Sequence, residues 1–379
     1  MRLAFLSGGA ARALVVRAAA AAGVDVGGSF GPVGAMREKL LAGERCDVIV
    51  LTHAQLCELT ALGRVDAGSI ADLGVVQTSI AVRSGRVHPD VSSPAALRAA
   101  LLAADEIHFP DPRHATAGIH FAKVIEALGI GERVADKLRT HAGGLPAMAA
   151  VAASVSNAIG CTQATEIVAT AGVDLVAPLP APHALATVYT AAVNAGARDP
   201  AGARAFVARL VDREAAALRA DCAFEGVAIR RATRADDAAI RALVFGILGE
   251  YGMRPDPGGI DADLFDLDAS YFARGGMFDA AIDPAGELVA CCGSYAADER
   301  VVELRKMYVR GDQRGRGLGR RLLERALAHA RGRGFERIEL ETASVLKEAM
   351  AMYERAGFVR LPHAPHVARC DRAYALALR

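Results

Sequence analysis

Between Val301 and Arg320 the chain reads VVELRKMYVR followed by GDQRGRGLGR, and this stretch carries the residues best suited to chemistry. It has the pattern of a strand, a turn rich in glycine and arginine, and a helix over Arg320–Arg331 with Leu322, Leu323, Ala326 and Leu327 on its apolar face. Glycines let the backbone approach a phosphate closely, and the free amides at a helix start meet it with the favourable end of the helix dipole. Arg314, Arg316, Arg320 and Arg321 add charge, and from Arg305 to Arg337 there are eleven basic residues against three acidic ones. This is a cradle for a pyrophosphate, although a dinucleotide site or a simple tight turn can share the same grammar. His363-x-x-His366 has two imidazoles in a proline-containing loop without a third ligand, so no metal site is expected. Seven cysteines without a C-x-x-C spacing fit buried thiols in a reducing compartment.

The elements that must position these groups follow from periodicity. In the last part of the chain, Val227–Arg231 reads as a strand and Asp236–Tyr251 as a helix. Gly276–Ile282 and Leu288–Tyr295 form a hairpin around Asp283-Pro284-Ala285-Gly286, Arg337–Glu341 is a strand, and Leu346–Ala356 is a helix. The first 226 residues alternate short apolar runs with alanine-rich helical stretches. Strands are expected at Leu3–Leu6, Val24–Phe30 and Asp47–Leu51, with helices at Ala11–Ala22 and Gly34–Leu41 between them. A second set starts near Pro94, with helices over 94–103 and 118–128, strands at Glu106–Phe109 and Ala158–Cys161, a return through Leu175–Leu179 and a helix from Pro200 to Arg219. Strand–helix alternation of this kind implies a parallel, helix-covered sheet, and hence an α/β protein. The grammar changes at Glu225-Gly226-Val227, which divides the chain into domains 1–226 and 227–379.

Composition excludes several partners. The two domains carry 20 basic against 21 acidic and 24 against 22 residues, so neither has the charge of a nucleic-acid-binding domain. Tryptophan is absent and aromatics are scarce, which argues against stacking platforms for single strands. The N-terminal apolar run is interrupted by Ser7-Gly8-Gly9, Arg12 and Arg17, and reads better as strand, turn and helix than as an export signal. No membrane partner and a cytoplasmic location are expected.

The Arg314-x-x-Gly317-x-Gly319 turn resembles the acyl-CoA motif of GNAT N-acetyltransferases, and the strand ELRKMYV before it resembles their pantetheine-binding strand. Met352-Tyr353-Glu354-Arg355-Ala356-Gly357-Phe358 is similar to the closing element of that family. The resemblance covers about 150 residues and implies a GNAT α/β acyltransferase fold with acetyl-CoA as co-substrate. Met307, Tyr308, Val309, Arg314, Gly315, Arg316, Gly317, Leu318, Gly319 and Arg320 would bind it. By the same resemblance Glu303 holds the place of the general base and Tyr353 that of the acid that protonates the departing thiolate. Many members carry an asparagine seven residues before that tyrosine, where this chain has Leu346.

Leu6-Ser7-Gly8-Gly9-Ala10, Phe30-Gly31-Pro32-Val33-Gly34-Ala35, Leu41–Val48 and Asp111-Pro112 leading to Ala117-Gly118 resemble the two-lobed type II periplasmic-binding fold, in particular its molybdate-binding branch. That fold holds a small ligand between its lobes with hydroxyls and helix N-termini. Ser7, Thr52, Thr116, Thr162 and Gln163 are the corresponding candidates here, and helix capping is their alternative use. Val33 stands where molybdate binders have a serine and Gln163 where they have a tyrosine, so two hydroxyl donors for an oxyanion are lost.

The combined expectation is an acetyl-CoA-dependent N-acetyltransferase acting on an amine of a small molecule or a protein, with a cytoplasmic domain for a small ligand, an anion among the candidates, that modulates it. The alternative is a ligand sensor whose transferase domain binds acyl-CoA without turnover. The resemblance leaves a homodimer open.

Overall fold

Two Xaa-Pro pairs set helix starts by the same chemistry. Ser93 Oγ accepts the amide of Ala96 and Asp199 Oδ1 accepts that of Gly202 at 2.9 Å, with Pro94 and Pro200 as first helical residues, where a missing N–H costs nothing. The computed structural model describes residues 1–362 and 365–378. It divides into two units, Met1–Leu56 with Asp72–Gly226, and Cys57–Ala71 with Val227–Arg379.

The first unit contains β1 (Arg2–Gly8), α1 (Arg12–Ala22), β2 (Asp25–Gly31), α2 (Val33–Leu41), β3 (Val48–Thr52), α3 (His53–Ala61, which continues into the second unit), β4 (Ala71–Arg83) and α4 (Pro94–Ala103). There follow β5 (Glu106–Pro110), α5 (Thr116–Ala127), α6 (Gly131–Val134), β6 (Leu138–His141), α7 (Gly144–Ala153), β7 (Ala158–Gln163), α8 (Ala164–Val168), β8 (Val173–Pro178), β9 (Ala186–Val193), α9 (Pro200–Leu210) and α10 (Ala215–Asp221). In one lobe β1 pairs in parallel with β2 and β3, and β9 is antiparallel to β3. In the other, β5 is parallel to β6 and β7, while β4 runs antiparallel to β7 and β8. The long β4 also neighbours β9 and so joins the lobes. The second lobe holds an apolar core from Leu97 and Leu101 to Phe109, Phe121 and Ile159, and a smaller cluster of Ala147, Met148, Val151 and Ile167.

The expected helix from Pro200 to Arg219 is two helices. The chain breaks at Val211–Glu214, where Asp212 turns its carboxylate to accept the amide of Ala215 at 2.7 Å, a local bond that competes with helix continuation.

The second unit contains β10 (Ala228–Arg231), α11 (Asp237–Glu250), β11 (Met277–Ile282), β12 (Leu288–Ala296), β13 (Val301–Val309), α12 (Leu318–Gly332), β14 (Arg337–Thr342), α13 (Lys347–Arg355), β15 (Val359–Arg360) and β16 (Arg372–Ala377). β10 to β13 form an antiparallel meander, β14 joins β13 in parallel, and β16 pairs antiparallel with β14 and β15. Asp283 Oδ1 closes the β11–β12 turn by accepting the amides of Ala285 and Glu287 at 3.0 and 2.9 Å. The apolar stripe of α12 (Leu318, Leu322, Leu323, Ala326) packs with Val302, Leu304, Ile338, Leu340 and Tyr353 on one face of the sheet. A second core, under α11, gathers Ile240, Val244, Tyr271, Phe278 and Tyr295. Arg325 is buried, bonded to Asp279 at 2.6 Å and to the carbonyl of Ile70 at 2.8 Å, which ties the Cys57–Ala71 segment to this unit.

Candidate active site

β13 and β14 stay paired only from Val301↔Arg337 to Leu304↔Leu340. Beyond Leu304 the first strand runs on to Val309 and the second to Thr342, so the two part and leave polar backbone facing a cavity of about 60 Å³. Arg305, Lys306, Met307 and Tyr308 line one side, Glu341, Thr342 and Ala343 the other, with Leu346 and Tyr353 from the α13 region. A bulge causes the departure. Cys291 pairs with Tyr308 and Gly293 with Arg305, so Lys306 and Met307 together face Cys292. Lys306 takes φ 51°, a left-handed value that side chains adopt only when the surroundings hold them there.

What holds it is a buried ion cluster. Lys306 Nζ donates to Asp261 Oδ1 at 2.6 Å and to the carbonyl of Ile260 at 2.9 Å, and it lies 3.2 Å from Asp263. Arg369 grips Asp261 with two bonds of 2.6 and 2.7 Å, and the amide of Asp256 adds a fourth contact at 2.9 Å. Burial opposes ionisation of Asp261, but Arg369 and Lys306 win and hold its carboxyl well below the usual carboxylate range. Asp261, Lys306 and Arg369 stand far apart in sequence and follow no recognisable motif, so sequence reading missed them.

The glycine turn delivers an open helix end. Gly315 and Gly317 have φ of 74° and 79°, and Gly317 is the residue before α12. No side chain caps that end, so the first amides of α12 stay available to an anion. A Cβ on Gly319 would lie 3.4 Å from Met352 Sδ and 3.9 Å from Val309 Cγ2, so this glycine brings the start of α12 close to β13 and α13. Leu318 is buried in the core below. Arg316 is exposed and makes no ion pair among the described residues. Arg320 is paired loosely with Glu324 at 3.4 Å. Arg314 is differently employed: its guanidinium donates to the carbonyl of Val309 at 2.9 Å and to Glu250 at 2.7 Å, which fixes the turn to the end of β13.

The two residues expected to act on protons are placed differently. Tyr353 lines the cavity, is 5% exposed, and its hydroxyl makes no hydrogen bond among the described residues. Burial pushes its phenol well above the ordinary value, so the hydroxyl stays protonated. Glu303 lies within the paired part of β13, outside the cavity wall. Its carboxylate accepts the hydroxyl of Tyr295, its cross-strand partner, at 2.9 Å and lies 3.6 Å from Arg305. The carboxylate on the cavity wall is Glu341, which accepts the amides of His366 and Val367 at 2.7 and 2.9 Å. Of the two histidines considered as ligands, His363 lies outside the described residues, and among the described residues no cluster suited to a metal occurs.

In the first unit a narrow cleft is lined by helix starts and strand residues, among them Gly9, Val33, Thr116, Gly144, Gln163, Glu166 and Tyr189. Of the sequence candidates, Thr116 and Gln163 line it, and Thr162 reaches its edge by donating to Glu166 at 2.6 Å. Ser7 and Thr52 do not. Ser7 bonds the carbonyl of Gly8 at 3.0 Å and Thr52 bonds Gln55 at 3.0 Å, both local uses of a short hydroxyl. Among the described residues no helix is long and apolar enough to cross a membrane.

Residues 5–221 match the family model of the bacterial extracellular solute-binding proteins, and residues 249–358 match that of the acetyltransferase (GNAT) family. The uncharacterized N-acetyltransferase YjgM of Escherichia coli (strain K12) is 36% identical over 141 residues, 36% of this chain and 84% of that protein. The aconitate isomerase of a Pseudomonas species is 28% identical over 185 residues, 48% of this chain and 68% of that protein. The periplasmic molybdate-binding protein of Azotobacter vinelandii is similar at 16% identity and a TM-score of 0.48, covering 59% of this chain and 98% of that one.

Proposed function

The chain belongs to the GNAT acetyltransferase family through its C-terminal part and to the bacterial extracellular solute-binding protein family through its N-terminal part, and from this premise we propose that it is an acetyl-CoA-dependent N-acetyltransferase with a small-ligand-binding unit on the same chain. The observation that carries the reading is the meeting of two features at one strand end: an uncapped, glycine-entered helix and a cavity that holds an unpartnered phenol.

These residues fit acetyl-CoA. The amides of Leu318 and Gly319, with Arg316 and Arg320, would take the pyrophosphate. The backbone from Met307 to Val309 would pair with the pantetheine arm and polarise the thioester carbonyl. The amine must lose a proton before its nitrogen forms the new C–N bond, and the C–S bond breaks as the sulfur leaves. Tyr353 supplies the proton to that sulfur. Glu303 takes the amine proton through water, and its bond to Tyr295 keeps the carboxylate oriented. Glu341 is the second candidate for this base, favoured by its place on the cavity wall. Seven free cysteines support a reducing, cytoplasmic setting. The N-terminal unit binds a small organic or inorganic anion and modulates the transfer; the name of the aconitate isomerase relative points to polycarboxylates as first probes.

The test is release of free CoA thiol from acetyl-CoA by the full chain, measured against a panel of small amines and peptide N-termini. Release that requires both partners is the expected result. Acetyl-CoA binding without release for any amine would favour the sensor reading instead.

A further inference from the structure

The cleft of the N-terminal unit has an uncommon occupant of its own. Three helices, α2, α5 and α7, start at this cleft, and none is capped by a side chain, so their first amides form a ready cradle for an anion. Gln163, 2% exposed, lines the same cleft beside the Tyr189 phenol, and among the described residues neither its amide nitrogen nor its oxygen makes a hydrogen bond of good geometry. Yet the carboxylate of Glu166 already stands in the cradle. It accepts the hydroxyl of Thr162 at 2.6 Å, and the amides of Gln163 and Gly144 also turn towards it. Its fit depends on missing side chains: a Cβ on Gly144 would come 1.9 Å from Glu166 Oε2, and one on Gly9 2.6 Å from Oε1.

Resting on the reading that this unit binds a small anion, we infer that the cleft takes a small organic carboxylate together with one proton, which Glu166 carries and donates in a hydrogen bond to the ligand. An ionised Glu166 and a bound anion would repel one another across a few ångströms of dry protein. A protonated Glu166 turns the same group into a donor. No cation facing it relieves the repulsion among the described residues. The Gly9–Ala11 turn and α7 carry no titratable side chain, and β7 offers only the buried thiol of Cys161. β8 offers Asp174, engaged with Ser84 and Gly85, and β9 offers the phenol of Tyr189. Burial outweighs the opposing hydrogen bonds from Thr162, Gln163 and Gly144 and pushes Glu166 up to about 7, so the proton is within reach near neutral pH.

The chemistry of the walls selects a carboxylate over a metal oxyanion. A carboxylic acid and a primary amide, Glu166 and Gln163, both present planar hydrogen-bonding edges that match a carboxylate. Ala10, Val33 and Ala117 give apolar contact for a carbon skeleton.

The experiment is calorimetric titration of the full chain with cis-aconitate, citrate and molybdate between about pH 7.5 and 9, where these probes are almost fully ionised, in buffers of different ionisation enthalpy. A carboxylate should bind with proton uptake that is partial at the low end of this range, where part of Glu166 is already protonated in the free protein, and close to one at its high end, its affinity falling by up to about tenfold per pH unit. Glu166→Gln should bind the same carboxylate with a pH-independent affinity and no proton uptake. Carboxylate binding by the wild type without proton uptake would overturn the inference and leave the ligand-binding reading standing. Binding of molybdate alone would overturn the carboxylate class. Binding of none of the probes would remove the anion-binding reading itself, and the inference with it.

Discussion

Replacing Asp261 by alanine should destabilise the C-terminal unit and loosen its bulge at once. Asp261 has no solvent exposure and accepts four hydrogen bonds, two from Arg369, one from Lys306 and one from the amide of Asp256. Breaking a buried ion pair by removing one partner typically costs roughly 3–5 kcal/mol, because the remaining charge stays buried without compensation. Lys306 keeps Asp263 at 3.2 Å and the carbonyl of Ile260 at 2.9 Å, and the Arg369 side chain is 19% exposed and so reaches water, so the lower end applies. A loss of about 3 kcal/mol lowers the melting temperature of a unit of this size by roughly 6–12 °C. Differential scanning calorimetry of the full chain reads this as a shift of the C-terminal transition. Because the same carboxylate anchors Lys306 in its left-handed conformation, acetyl-CoA affinity should fall in parallel. A melting shift under about 2 °C, less than 1 kcal/mol on the same scale, with unchanged acetyl-CoA affinity would refute the claim that this cluster shapes the site.

Tyr353→Phe should lower turnover by about 10²-fold or more while acetyl-CoA affinity changes little, since only the proton donor is lost; unchanged turnover in pre-steady-state assays would remove the phenol from the chemistry. Glu303→Gln and Glu341→Gln should differ: whichever carboxylate is the base loses the rise of kcat/KM with pH, and equal pH profiles for both variants and wild type would exclude both. Glu166 also links pH to stability. Its folded value of about 7 lies above the unfolded 4.5, so its contribution is fully present below the unfolded value and is lost as pH rises to about 7. The loss approaches about 3 kcal/mol at neutral pH on the usual conversion of pKa differences. Thermal melts of Glu166→Gln should therefore show a flatter dependence of the N-terminal transition between pH 4.5 and 7 than wild type; parallel curves would contradict the burial of an ionisable carboxyl there.

Local patterns carried much of the fold. The strand, glycine turn and helix from Val301 were legible because a period of two gives way to a period of 3.6 across residues that suit the junction. The long β4 was not legible, because Asp72, Thr78 and Ser79 interrupt its apolar run. Asp72 is tolerated inside because partners arrive from elsewhere: it accepts the hydroxyl of Thr190 at 2.7 Å and sits 3.1 Å from His53. The same limit governs the sites. Tyr353 was legible from its neighbours in sequence, whereas the engagement of Glu303 with Tyr295 depends on strand register. Lys306 looked like an ordinary strand residue, since a bulge is set by the pairing of two strands. Arg314 was assigned to phosphate by its type, and its bonds to Glu250 and Val309 arise only when α11 and β13 meet. Glu166 belongs to no motif; burial among glycines gives it its interest.

The central claim is that acetyl-CoA binds at the open start of α12 and is used there. Calorimetric titration of acetyl-CoA into the full chain and into Gly317→Glu tests it most directly. Gly317 is exposed at the mouth of the turn with nothing near the position of a Cβ, and its φ of 79° is left-handed. A glutamate there adds strain and a negative charge where the pyrophosphate would lie. The expected result is binding of one acetyl-CoA by the wild type and a loss of at least about a hundredfold in the variant, roughly 3 kcal/mol. Equal affinity in the two proteins, or no binding by the wild type, would contradict it.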